Sequence, residues 1–217
     1  MKKLITGILF AILATFSSNA DVTNVGIKFS AANLDATGSH DTNLSGTTTS
    51  EANDADFSLA SFFVERQVET GGNLDMALGL DVIPFEAEVD KIGGGTGFDA
   101  TINVSNLLTA YIQPTFNPGG DVSFFVRAGY SMADLDIEEI SRQATTAGTA
   151  STDGAQSKTL EGPMFGIGVQ SNTDMGFVRI EGTITDFDQI QHTNSNGKVL
   201  KADAEMTLIS ISVGKSF

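Results

Sequence analysis

The feature that most constrains this chain is a two-residue alternation that recurs along it and still runs at its last residues. Positions 208–217 read LISISVGKSF. Counting back in twos from Phe217 gives Lys215, Val213, Ile211 and Ile209, and the residues between are Ser216, Gly214, Ser212 and Ser210. Successive side chains of a strand point to opposite faces. One face here is mostly large and apolar, the other small and polar, so the strand separates two different environments.

Seven earlier segments carry the same signature. Segment 24–33 sets Val25, Ile27, Phe29 and Ala31 against Gly26, Lys28 and Ser30. Segment 55–67 is ambiguous, because Phe62, Phe63 and Val64 are consecutive and a bulge fits there. If Ala60, Phe62 and Val64 share a face, Glu65 lies on the other. Segment 73–83 sets Leu74, Met76, Leu78, Leu80 and Val82 against Asp75, Ala77, Gly79 and Asp81. Segment 102–114 sets Ile102, Val104, Leu108, Ala110 and Ile112 against polar neighbours, with Asn106 and Leu107 breaking the pattern. Segments 122–132, 162–171 and 176–186 place Val126, Ile167 and Ile180 opposite Arg127, Gly168 and Glu181, with Arg179 on the same face as Glu181.

The connections alternate in length. After the second, fourth and sixth segments they are short and carry turn residues: Gly71-Gly72, and Asn117-Pro118-Gly119-Gly120. After the first, third, fifth and seventh they are longer, at 34–54, 84–101, 133–158 and 187–201, polar and poorly periodic. These four read as loops. Short turns at one end and long loops at the other are the layout of a transmembrane barrel whose long loops face outward from the cell.

The first residues set the route. Lys2 and Lys3 precede an apolar run at 4–16, and Ser18-Asn19-Ala20 follows. This is the pattern of a secretory signal peptide, residues 1–20, cleaved after Ala20. The barrel domain is then 21–217. No later stretch approaches the ~20 apolar residues of a spanning helix. The chain has no cysteine, so no disulfide supports it. It has 12 basic and 27 acidic residues, net −15; without Lys2 and Lys3 the balance is −17. Nucleic acid, which needs a basic face, is excluded as a partner.

Eight segments, this layout and a terminal Phe217 resemble the small OmpA/OmpX-type outer-membrane barrels. The likeness covers the whole exported part and includes the fragments VRAGYS at 126–131, GIGV at 166–169 and VRIE at 178–181. It implies an all-β, eight-stranded antiparallel up-and-down transmembrane barrel in the outer membrane of a Gram-negative cell. It also implies contact with outer-membrane lipid and lipopolysaccharide, and Phe217 as the signal read by the barrel-assembly machinery. Lys215, where an apolar residue is usual, and the absence of tryptophan depart from the family pattern. No peptidoglycan-binding domain follows the barrel, so tethering to the cell wall is not implied.

The inward faces carry charge: Lys28, Arg127 and Arg179 against Glu65, Asp75, Asp81 and Glu181. Charges enclosed in a narrow interior must pair, so these residues are expected to plug the lumen. The alternatives are a small diffusion channel, which needs an open lumen, and a rim-sited lipid-modifying enzyme. His40 and His192 both fall in the expected loops, with Thr193 and Ser195 near the second. No nucleophile–base spacing stands out. The glycines of 92–97 lack the Gly-Lys-Ser/Thr ending of a phosphate loop. Asp134, Asp136, Glu138 and Glu139 form an acidic rim with weak divalent-cation binding as its functional alternative, without the spacing of a Ca²⁺ loop. Residues 144–157 are low in complexity and read as mobile. The expectation is a non-enzymatic barrel with a structural or surface-interaction role, no cofactor and no catalytic or metal site.

Overall fold

In the computed structural model the described residues are 21–41, 48–70, 72–84, 87–92, 98–142, 152–153, 156–193 and 199–217. The expected signal peptide, the glycines at 93–95 and most of 144–157 lie outside them. Ten strands follow in order: β1 Asp21–Asp41, β2 Thr48–Glu69, β3 Leu74–Ile83, β4 Ala87–Ile92, β5 Phe98–Phe116, β6 Val122–Arg142, β7 Thr152–Asp153, β8 Gln156–Thr173, β9 Gly176–Thr193 and β10 Val199–Ser216. Each pairs antiparallel with its neighbours, and β1 pairs with β10, so the sheet closes on itself. β4 continues the place of β3 beside β5, and β7 that of β8 beside β6. The wall therefore has eight strand positions around its circumference.

The turns at one end are short. Gly72, Gly119 and Gly120 have φ of 83°, 106° and 85°, a region that residues with a Cβ rarely enter. At the other end the strands run further than the alternation suggested. The connections expected as loops are largely paired strand, and His40 and His192 belong to β1 and β9. An 18-residue strand such as β9 tilted by about 40° covers roughly 45 Å along the axis, against an apolar band of ~25 Å.

The alternation changes phase where the extensions begin. Lower on the wall, Val25, Ile27, Phe29 and, on β10, Ile209, Ile211 and Val213 point outward and are exposed. Higher up, the apolar residues take the inward positions: Ala32 and Leu34 on β1, Met206 and Leu208 on β10, Phe187 on β9, Leu160 on β8, Ala133 on β6, Leu107 on β5 and Ile83 on β3 form one buried cluster, with Phe57 and Leu59 of β2 packed on it. At that level the outward positions turn acidic. Asp54, Asp35, Glu205 and Asp186 are successive register partners across β2, β1, β10 and β9. One polypeptide thus has two sections: polar inside and apolar outside near the turns, apolar inside and acidic outside near the long connections.

One facing expected from alternation needs correction, and one outward residue is buried. Val104 packs against the inner apolar cluster instead of facing outward. A register shift between Ser105 and Leu108, with Asn106 at φ 54°, inserts the bulge that turns the frame over. Leu80 keeps its outward parity between Val64 and Ala110 but is buried. In β2, Phe62 is exposed while Phe63 and Glu65 are buried, which fixes the frame with Glu65 inward.

Candidate functional site

The polar section of the lumen is built from side chains at alternate positions of every strand. Glu65 of β2, fully buried, is its deepest acid. It accepts a bidentate pair from Arg179 of β9, with Nη1 2.9 Å from Oε2 and Nη2 on Oε1. The Asn24 amide donates to the same carboxylate at 2.9 Å and the Tyr111 hydroxyl at 3.0 Å. Arg179, 1% exposed, also donates through Nε to Gln170. Its guanidinium lies 4.4 Å from the centroid of the Phe177 ring and 5.3 Å from that of Phe63. Planar guanidinium groups suit both the bidentate carboxylate and the ring faces, a match that an ammonium lacks.

A second group adjoins the first. Arg127 of β6 donates to Gln113 Oε1 through Nε at 3.1 Å and Nη2 at 2.7 Å, and its Nη1 is 2.8 Å from Glu181 Oε2. Glu181 also accepts from Lys28 Nζ at 2.7 Å, and Lys28 touches Asp81. Tyr111 links the groups, bonding Glu65 while its ring lies 4.0 Å beneath the Arg127 guanidinium. Lys28, Arg127 and Arg179 face Glu65, Asp81 and Glu181, so formal charge inside this pair of groups cancels. Asp75 stands apart. Its partners are the amides of Gln67 at 3.0 Å and Asn117 at 2.6 Å, not a base. It lies at the turn end, out of line with the inward bases of β1, β6 and β9, and Asn117 of the β5–β6 turn reaches it first.

Four aromatic rings make room for the charges. Phe63, Tyr111, Phe125 and Phe177 each lie over a glycine directly opposite on the next strand: Gly26, Gly79, Gly168 and Gly214. A Cβ at any of those glycines would run into the ring. Nothing in the sequence marks the rings, Gln113, Gln170 or Asn24 as members of the site. Apart from Phe63, whose frame the sequence leaves open, their inward parity is readable from the alternation, but nothing in the sequence says which amide meets which guanidinium across the lumen.

The other candidates do not converge. Asp134 and Asp136 lie on β6, and Asp134 accepts from Asn106 at 3.1 Å. No metal-holding group of acids or histidines occurs among the described residues. His40 and His192 are both register partners of Leu200, one on each side of β10, and so about two strand spacings, roughly 10 Å, apart.

No family model matches the chain, and no curated protein matches it in sequence. Solved structures match in shape. The outer membrane protease OmpT from Escherichia coli superposes with a TM-score of 0.50 at 10% identity, over 93% of this chain and 99% of that one. The fold is that of an outer-membrane β-barrel. Two further structures superpose less well: Ail, the attachment invasion locus protein of Yersinia pestis, with a TM-score of 0.43 at 9% identity over 87% of this chain and 97% of its own, and Neisserial surface protein A, with 0.39 at 13% identity over 85% and 96%. At such identities the likeness concerns the fold of the barrel, and the neighbours' roles differ among themselves.

Proposed function

We propose that this chain is a non-enzymatic barrel of the Gram-negative outer membrane, exported on residues 1–20, with a structural or surface-interaction role and a lumen closed by its internal ion pairs. The observation that carries the reading is the pairing of Glu65 with Arg179 and of Glu181 with both Arg127 and Lys28, all buried within one narrow interior. Separating such pairs leaves uncompensated charge in a low dielectric, so they stay closed. An eight-stranded barrel has an interior just wide enough for side chains to fill. The exposed apolar set around Ile209, Ile167 and Phe165 suits contact with acyl chains. The short-turn end then lies in the periplasm, and the acidic section stands outside the membrane beside lipopolysaccharide. Asp134 and Asp136, with Glu138 and Glu139, belong to a solvated acidic rim on that outer section, with weak divalent-cation binding as the alternative, and the C-terminal strand with Phe217 is what the assembly machinery reads.

Single-channel recording of the purified chain in planar lipid bilayers tests the closed lumen. The expected result is no steady conductance. A stable open level in the wild type would replace this reading with that of a small diffusion channel.

A further inference from the structure

Resting on the closed-lumen reading, the geometry adds a second barrier. We infer that the apolar layer toward the long connections is a seal in its own right, a dry septum that blocks ions even when the ion pairs beneath it are broken. Every one of the eight wall positions contributes an apolar inward residue to this layer, from Phe57 and Leu59 on β2 to Ala133 and Leu135 on β6. Leu34, Ile83, Leu107, Leu160, Phe187 and Leu208, contributed by six strands, are all buried there. The nearest inward charge on the far side is Lys158 of β8, one inward position beyond Leu160 and partly exposed. A narrow apolar constriction expels its water column, and an ion entering it loses hydration with nothing offered in return.

Except at β3, where Ile83 is the next inward residue after Asp81, the septum is set apart from the ionic groups. Between them lies a belt of hydroxyls, with Ser30 and Ser210 at 2.7 Å and Thr109 and Ser131 at 2.8 Å. A cavity of about 20 Å³ sits at this junction, with Lys28 and Asp81 on one side and Leu107 and Leu208 on the other. That is room for about one water, not for a continuous file. Breaking the Glu65–Arg179 pair therefore leaves the septum residues and their packing in place.

The absence of cysteine makes a clean reporter available. The substitution Ser30→Cys places a thiol between the two layers. Four proteins are compared in lipid bilayers, their folding checked by heat-modifiable mobility: the wild type, an ion-pair variant with Lys28→Met, Glu65→Gln, Asp81→Asn, Arg127→Met, Arg179→Met and Glu181→Gln, which empties both ionic groups, a septum variant with Met206→Ser and Leu208→Ser, and the combined variant. The ion-pair variant and the septum variant should remain silent, and the combined variant should conduct. Conduction by the ion-pair variant at the level of the combined one overturns the septum while leaving the closed wild type intact. Conduction by the wild type overturns the closed lumen itself. A folded but silent combined variant also overturns the septum. Labelling of the Ser30→Cys protein by a small charged methanethiosulfonate reagent supplies the second readout, with the ionic layer kept intact. Adding Leu208→Ser alone to that protein should raise the labelling rate at least tenfold, and an unchanged rate overturns the proposal even where the heavier variants do not fold.

Discussion

Glu65 shows how much a single residue carries in this interior. Its carboxylate takes two bonds from Arg179 and one each from Asn24 and Tyr111, so both its oxygens face donors. Removing one partner of such a pair strands the other. Arg179→Ala should lower stability by about 3–5 kcal/mol, read as the shift of the urea midpoint in lipid vesicles. Glu65→Gln combined with Arg179→Met should cost less than Arg179→Ala alone, because neither charge is left behind. Gly79 makes a different point. It lies opposite Tyr111, and a methyl group there would occupy the space of the ring. Gly79→Ala should cost about 1–3 kcal/mol through overpacking. Most of that loss should vanish in a Tyr111→Leu background, a double-mutant cycle that separates ring collision from strand propensity.

At the scale of the strand, β10 crosses from one section of the wall to the other without changing parity. Ile209 and Glu205 point the same way, yet the first is 68% exposed among apolar neighbours and the second has Asp35 and Asp186 as its partners. Arginine at position 209 should cost about 2–4 kcal/mol if that site lies near the bilayer midplane. Arginine at position 205 should be neutral or stabilising by a few tenths of a kcal/mol, since like charges directly opposite one another on a sheet repel. Unfolding of Ile209→Arg and Glu205→Arg in vesicles compares them. Equal costs would move the membrane boundary away from the level of Glu205.

For the molecule as a whole, closure is the event on which everything else depends. The final residue takes part directly: Phe217 N–H donates to Thr23 O at 2.9 Å and Thr23 N–H to Phe217 O at 3.0 Å. Its ring is exposed, with the Lys215 ammonium 5.5 Å from the centroid. Deleting Phe217 removes that rung of the closing seam and the aromatic terminus together. Export should continue while outer-membrane insertion fails, which cell fractionation with heat-modifiability detects. Normal insertion without Phe217 would exclude it as the assembly signal. The lumen's contents also form only on closure, because Glu65 and Arg179 are 114 residues apart in the chain.

The period-two pattern of segments such as 73–83 and 208–217 was enough to establish strands, their count, their short turns and the facing of the membrane section. Backbone geometry forces alternate side chains to opposite faces whatever surrounds them. Glu65 was placed inward only conditionally, because three apolar residues in a row fit either frame until the register with β1 and β3 chooses one. The strand extensions were hidden for a related reason. Between Phe29 and Leu34 the apolar residues move from odd to even positions, and a change of phase looks like loss of pattern when the surrounding medium is unknown. Which face is apolar depends on whether lipid or water lies outside the wall at that height. That height, like the meeting of Arg179 with Glu65 across the lumen, exists only once eight tilted strands have closed in register.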